Sequence, residues 1–516
     1  MSDVARSYDE VPYEGKPLYA THPDCLAAAA RLRCITAADP AQCRVLELGC
    51  GTGGNLIPMA YTLPQSQFLG IDLSPRQIAW GQSIVQQAGL QNIELKVASI
   101  LDVDRDWGQF DYIICHGVFS WVPRPVQDHI LWICGNLLAP FGVAYISYNT
   151  YPGWHLRAVV RDLAQFYAAR FDDPATKAQQ VRAIVQFIAR ASASLDSPLS
   201  RYLAEEVPAL AEAADYYIYH EHLEDTNHPL YFYQFMARAR AAGLEYLGEA
   251  WHHSPLDSLP EEVRQTLMEL SRDLVDLEQW MDFIHSRTFR RTLLCRAEVP
   301  VERTPPPDVL RPMYLTALAR PQSPEVDVTT PQPERFVRDD GTGATTNAPL
   351  LKAALVALFQ RWPAAVPFSE LLQSAMAQAN IPRDQQAQAE AVLAALLVRS
   401  YTSHLVAIHT RPFPFVGEAG PLPCASRLAR VLAKEQARVP NLRHHLVLLS
   451  PEQRQVLAVA DGRHRREEIA RALAVAAGQR GPPEGFAESA HALPPLSTPQ
   501  VDEVLRQLAR CALLEA

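Results

Sequence analysis

Between residues 43 and 147 short apolar runs alternate with amphipathic stretches, the pattern of a parallel sheet wrapped by helices. VLELG (45–49), QFLGID (67–72), IELKVAS (93–99), FDYIICHG (110–117) and GVAYISYN (142–149) read as five strands. Ser74 as N-cap with Pro75 in the first turn opens the helix LSPRQIAWGQSIVQQAG, and a helix around HILWICGNLL precedes the fifth strand. This order predicts a doubly wound, Rossmann-like α/β core over 41–156. From Arg157 to about Ala242 the pattern turns helical, after which GLEYLGEA (243–250) and FRRTLLCRA (289–297) read as strands. Between them Val263, Leu267, Leu270, Leu274, Leu277, Met281 and Ile284 recur at three- and four-residue steps, predicting one long amphipathic helix. The two late strands are expected to complete the sheet antiparallel at its edge, so that 243–298 rejoins the core after a helical insertion over 157–242. A separate α-rich domain over 157–297 is the alternative.

A dense Pro/Thr/Asp region over 299–349 has linker composition. Beyond it LLKAALVALFQRW, PFSELLQSAM, DQQAQAEAVLAALLV and LVAIHT run helix, helix, helix, strand, which predicts a winged-helix-like unit over 350–417. A looser echo of that order predicts a small helical domain over 418–516. At the other end, residues 1–40 carry Tyr8, Tyr13 and Tyr19 with Pro12, Pro17 and Pro23. This aromatic strip is expected to fold over a ligand as a lid, with Tyr13 nearest.

With 516 residues, several domains are expected, and 48% apolar with 20% charged residues gives a globular chain with a real core. A net charge of -10 argues against a broad grip on nucleic acid or anionic lipid. Nine scattered cysteines without a C-x-x-C pair indicate neither a disulfide framework nor a zinc ribbon. The first residues lack the basic and apolar regions of a secretory signal, and no uncharged apolar stretch reaches roughly 18 residues. A cytoplasmic protein without membrane insertion is the expectation.

ELGCGTGGN (47–55) follows a strand and opens a helix, the setting that gives a glycine loop meaning. Glycines let backbone approach a ligand, and free N–H groups at a helix start favour an anion. Gly49, Gly51 and Gly54 also satisfy G-x-G-x-x-G, so the loop alone does not separate a dinucleotide from S-adenosylmethionine. Glu47 stands where a carboxylate could meet a ligand ammonium, which a dinucleotide lacks. Asp72, about 20 residues on, is placed to accept ribose hydroxyls, or else caps the following helix. Ser99 and Ile100 end the third strand, where an adenine edge could lie.

VLELGCGTG, GIDLS and FDYIICHGVFSWVP together resemble a class I methyltransferase, and the last is similar to rickettsial-type protein lysine methyltransferases. SYDEVPYEGKPLYATHPDCLAAAA, SYNTYPGWH, NHPLYFYQFM, FIHSRTFRRTLLC and NLRHHLVLLSPEQRQVLAVADGRHRREEIARAL extend the resemblance to that family's lid, methyltransferase regulatory region and C-terminal segment. It implies S-adenosyl-L-methionine as cofactor, S-adenosyl-L-homocysteine as product, and a protein substrate. Tyr13, Glu47, Gly49, Gly51, Gly53, Asp72, Leu73, Ser99, Ile100 and His116 are the expected cofactor residues.

Methyl transfer from a sulfonium needs alignment and desolvation, with no metal called for. A lysine nucleophile must first lose its proton. Tyr148, Tyr151 and Trp154 are expected to form an aromatic sleeve for an alkylammonium, with Asn149 orienting the amine. A carboxylate there would pin the ammonium and raise its pKa, and YNTYPGWH has none. The alternative for each ring is packing against the insertion. HGVFSWVP lacks the N/D-P-P-Y/F pattern of enzymes that methylate amide-like nitrogens, which disfavours such an acceptor. His116 could touch adenosine, act as a base or be structural; Trp121 could line the channel or fill core. Tyr231 and Tyr233 of NHPLYFYQF are expected to close the channel's far wall. The C-terminal units would select the substrate or form a homodimer. The rival readings are a small-molecule methyltransferase, a non-catalytic cofactor-binding regulator, and a nicotinamide-linked oxidoreductase.

Overall fold

The computed structural model describes residues 15–250, 256, 259–479 and 496–515. Tyr8, Pro12 and Tyr13 of the expected lid therefore lie outside the described residues. Strands β1 (Arg44–Leu48), β2 (Gln67–Asp72), β3 (Ile93–Val97), β4 (Phe110–Cys115), β5 (Leu138–Asn149), β6 (Leu244–Glu249) and β7 (Phe289–Arg296) form one sheet in the order β3-β2-β1-β4-β5-β7-β6. The first five run parallel. β7 enters antiparallel beside β5, pairing Ala144 with Leu294 through Asn149 with Phe289, and β6 pairs antiparallel with β7. Both late strands thus complete the sheet at its edge through antiparallel pairings, as expected, and β6, antiparallel to β7, points the same way as β5.

The single long helix expected over 263–284 is two helices, Glu261–Leu270 and Leu274–His285. Asp273 caps the second by accepting from the Asp276 N–H, while Ser271 turns extended, so a local N-cap interrupts a continuous apolar period. The insertion packs helices Gly153–Ala168, Pro174–Ser192 and Pro198–Glu212 around Val160, Ala164, Val181, Leu203 and Leu210.

The stretch read as a linker is more than that. Its residues Tyr314–Ala317 form β8, the middle strand between Val366–Pro367 and Val406–His409, and Leu310, Met313 and Leu315 share a core with Leu355, Leu371 and Leu393. The buried Lys352 ammonium donates to the carbonyls of Asp327, Thr330 and Gln332 and pins the proline-rich loop. Four residues are too few for alternation to show amid prolines. Farther on, helices Arg427–Leu432, Pro451–Val459 and Thr498–Arg510 pack directly on the first domain: Leu428, Leu457 and Leu505 belong to one core with Val45, Ile57 and Ile78. Among the described residues no helix is long and apolar enough to cross a membrane.

Candidate active site

The carboxyl ends of β1 to β5 converge, the crevice where open α/β sheets bind ligands. Gly49, Gly51 and Gly53 after β1 all take positive φ, at 73°, 55° and 73°. A Cβ on Gly49 would stand 2.4 Å from Val118 Cγ2, so the loop after β4 fits only against a bare backbone. Asp72 Oδ2 accepts from Gly51 N at 2.9 Å and Oδ1 from Ser74 N at 2.9 Å. One carboxylate therefore holds the glycine loop and the start of helix Pro75–Ala88 together. Leu73 beside it is exposed. Ser99 and Ile100 lie just beyond the end of β3; Ser99 caps the following turn with Asp102, whereas the Ile100 side chain joins the core. At the described start of the N-terminal segment, the Gly15 backbone lies against the loop, so that a Cβ on Gly54 would sit 2.4 Å from the Gly15 carbonyl carbon.

Glu47 is buried in the end of β1. Its Oε1 accepts from Asn55 Nδ2 at 2.7 Å, while Oε2 is buried without a hydrogen-bond partner among the described residues. Burial pushes this carboxyl up to about 8, against the opposing effect of the Asn55 hydrogen bond. A lone buried carboxylate oxygen at a bare-backbone loop fits a ligand that brings its own cation. A nicotinamide dinucleotide offers no ammonium, since the charged ring nitrogen of its oxidised form bears no N–H.

Side chains alternate along β5. Tyr145, Ser147 and Asn149 share one face and Tyr148 the other, as strand geometry requires. Tyr148 is consequently in the core: its ring stacks on Phe235 at 4.1 Å and its hydroxyl meets Thr292 Oγ1 at 3.1 Å. It does not join the expected sleeve. Nearby, the buried Arg290 of β7 donates to Asp282 and Glu249 and lies over the Phe232 ring, tying β7 to β6 and to helix Leu274–His285. Asn149 does reach the site side, where Nδ2 donates to Asn227 Oδ1 at 3.0 Å and its backbone N–H to Ser120 Oγ at 2.9 Å.

Residues 227–231 run alongside 149–151: Leu230 N donates to Asn149 O, Tyr151 N to Leu230 O, and His228 N to Ser120 O. Three loops, after β4, after β5 and from the insertion, thus meet at one place. Tyr151 stacks on His155 at 4.1 Å and packs 5.3 Å from Tyr231, which in turn stacks on Tyr233 at 5.7 Å. Tyr233 is exposed and Tyr231 half-buried, so this cluster opens to solvent. Trp154 is separate from it, buried edge-on to Trp121 at 6.3 Å, with Arg157 and Arg161 over the two rings. The expected sleeve of Tyr148, Tyr151 and Trp154 is therefore replaced by two ring groups, neither containing Tyr148. His116 Nδ1 lies 2.9 Å from the Tyr145 hydroxyl. Burial, with Arg291 and Lys16 nearby, lowers the His116 pKa to about 3, so it is neutral and a poor base near pH 7.

Asn55, Asn227, Ser120 and Tyr145 belong to the site and carry no sequence signal of their own. Asn55 stands in the quoted loop and Asn227 in the quoted NHPLYFYQFM, but their partners are 8 and 78 residues away.

Comparison with known proteins gives a consistent result. The family model "Methyltransferase domain" matches residues 39–189, "Predicted methyltransferase regulatory domain" matches 214–296, and "PKMT, C-terminal winged helix domain" matches 422–513. Uncharacterized protein RP789 of Rickettsia prowazekii is 33% identical over 476 residues, 90% of this chain and 85% of that protein. Uncharacterized protein RP028 of the same organism is 40% identical over 234 residues, 45% of this chain and 94% of its own. The solved structure of PKMT2 from Rickettsia typhi in complex with AdoHcy superposes with a TM-score of 0.84 at 29% identity, covering 98% of this chain and all of that one.

Proposed function

Because the chain belongs to the class I, S-adenosylmethionine-dependent methyltransferases that carry a methyltransferase regulatory domain and a PKMT-type C-terminal winged helix, we propose that it methylates lysine side chains of a protein substrate. S-adenosylmethionine, when bound, supplies a methyl group activated by its positive sulfur and is left as S-adenosylhomocysteine. Gly49, Gly51 and Gly53 would give it bare backbone, Asp72, which holds that loop, would lie on the ribose side, and Glu47 Oε2 would accept from its ammonium.

The observation that carries the lysine reading is the Asn149 to Asn227 hydrogen bond beside the Tyr151, His155 and Tyr231 rings. Ring faces hold an alkylammonium at roughly 0.5 to 2 kcal/mol per contact without fixing its proton as a carboxylate would. The lysine can then shed that proton to water as it enters. With Nδ2 engaged by Asn227, the Asn149 carbonyl oxygen serves as acceptor for a remaining amine N–H. His116, neutral and hydrogen-bonded to Tyr145, orients the loop after β4 and is not the base. The insertion and the C-terminal units receive the substrate protein or a second copy of the chain; Phe166 and Phe187, exposed on insertion helices, offer apolar surface for either.

Methyl-labelled cofactor offered with a bacterial protein extract and, separately, with a metabolite extract tests this reading. Label is expected in protein. Label confined to small molecules would reject it.

A further inference from the structure

The turn Asn441–His445 of the C-terminal unit reaches the cofactor side of the first domain. Asn441 Oδ1 accepts from the N–H groups of Arg443 and His445, and Asn441 Nδ2 donates to the Cys511 carbonyl at 2.9 Å. Leu442 N donates to the Ala512 carbonyl at 2.9 Å. The turn is thereby fixed to the end of helix Thr498–Arg510, with His444 at a positive φ of 60° and buried. His445 stacks on Tyr19 at 4.6 Å, and His22 lies 5.2 Å from His444.

His444 Nε2 is 2.9 Å from Asn55 Oδ1. Leu18 N donates to the same oxygen at 2.9 Å, while the Thr21 hydroxyl donates to the Leu18 carbonyl at 2.8 Å and accepts from Asn55 Nδ2 at 3.0 Å. An amide oxygen only accepts, so His444 carries its proton on Nε2, and two donors, His444 Nε2 and the Leu18 N–H, converge on one side of Asn55. They turn the opposite side, Nδ2, toward Glu47 Oε1 at 2.7 Å. Reversal of the amide would set its NH2 group against the Leu18 N–H, and its oxygen against Glu47 Oε1 once that carboxyl is ionised. A residue 397 positions from Glu47, counting 444 less 47, thus fixes the direction of the carboxylate whose other oxygen awaits a cation.

We propose that His444 is a positioning residue for cofactor binding, acting through Asn55 to aim Glu47 at the ammonium of S-adenosylmethionine. The inference rests on the cofactor and is independent of the lysine acceptor. Docking of the C-terminal unit is then required for recognition of the amino-acid end of the cofactor, and not of its nucleoside end.

Calorimetric titration of the full chain with S-adenosylhomocysteine and with 5′-methylthioadenosine, which lacks the amino-acid moiety, tests this. A hydrogen bond to a charged group is worth enough to change affinity about tenfold, so in His444→Phe and in the smaller His444→Ala the ratio of the two affinities should fall by about that factor. His444→Gln, which retains an N–H donor, should recover most of the ratio. An unchanged ratio in both His444→Phe and His444→Ala, whatever the absolute affinities, overturns the proposal. So does a ratio in His444→Gln as low as that of His444→Phe.

Discussion

Asn149 Nδ2 donates to Asn227 Oδ1 at 3.0 Å, joining the end of β5 to a loop 78 residues later in the insertion. The two amides stand where the loops after β4 and β5 meet, so the regulatory segment is part of the candidate acceptor site. Asn227→Ala releases Asn149 Nδ2 to rotate. It is expected to lower kcat by about ten- to a hundredfold, the scale of a lost orienting contact, with cofactor affinity within about threefold. Single-turnover kinetics beside a cofactor titration check this, and equal losses in both would contradict the assignment.

Tyr148 and Tyr151 of YNTYPGWH should behave differently. Tyr148→Phe removes a hydroxyl from Thr292 and keeps the stack on Phe235, so a stability loss of about 0.5 to 1.5 kcal/mol with methyl transfer nearly unchanged is expected. Tyr151→Ala or Tyr231→Ala removes a solvent-facing ring and should raise KM for the protein substrate by about 3- to 30-fold at roughly constant Tm. Denaturation curves and steady-state kinetics on the same preparations separate the two patterns.

Glu47 gives a pH dependence of definite sign. Burial holds its carboxyl up to about 8, so at pH 7 the unliganded site is mainly protonated. A ligand ammonium favours the ionised form, and binding then expels a proton. Affinity for S-adenosylhomocysteine should rise from pH 6 to 8 by up to about tenfold per unit and level off above. The unliganded chain should lose stability over the same rise, because folding favours the protonated carboxyl. Neither slope is expected in Glu47→Gln, and 5′-methylthioadenosine should bind equally well throughout; calorimetry in buffers of different ionisation enthalpy reads the released proton.

Backbone freedom at the loop is equally exposed to test. Gly49→Ala places a Cβ at positive φ and against Val118, which should cost about 1 to 3 kcal/mol and weaken cofactor binding. Asp72→Ala removes the acceptor for Gly51 and Ser74 together and should lower cofactor affinity at least about tenfold. Undiminished cofactor uptake by both variants would contradict the placement of the site.

The strands and the glycine loop were legible because apolar runs and their punctuation are local. β7 lying between β5 and β6 was not, since pairing order depends on connections that no short window contains. Tyr148 was misread although the information was present: it stands one residue from Asn149 on a strand, and period two sends the pair to opposite faces. Its aromatic character outweighed its parity. The break in the helix expected over 263–284 also has a local cause, the side-chain cap of Asp273, which divides what the apolar spacing makes continuous. His444 lay beyond reach for another reason. Nothing in NLRHH identifies Asn55 as the partner, 389 residues earlier.

The most direct measurement is the identity of the methylated atom. Incubation of the full chain with deuteromethyl-labelled S-adenosylmethionine and a protein extract, followed by complete hydrolysis and mass spectrometry, should yield labelled Nε-methyl-lysine, and Asp72→Ala should yield little. Label on any other residue, or none on protein while the cofactor still binds, would contradict the account.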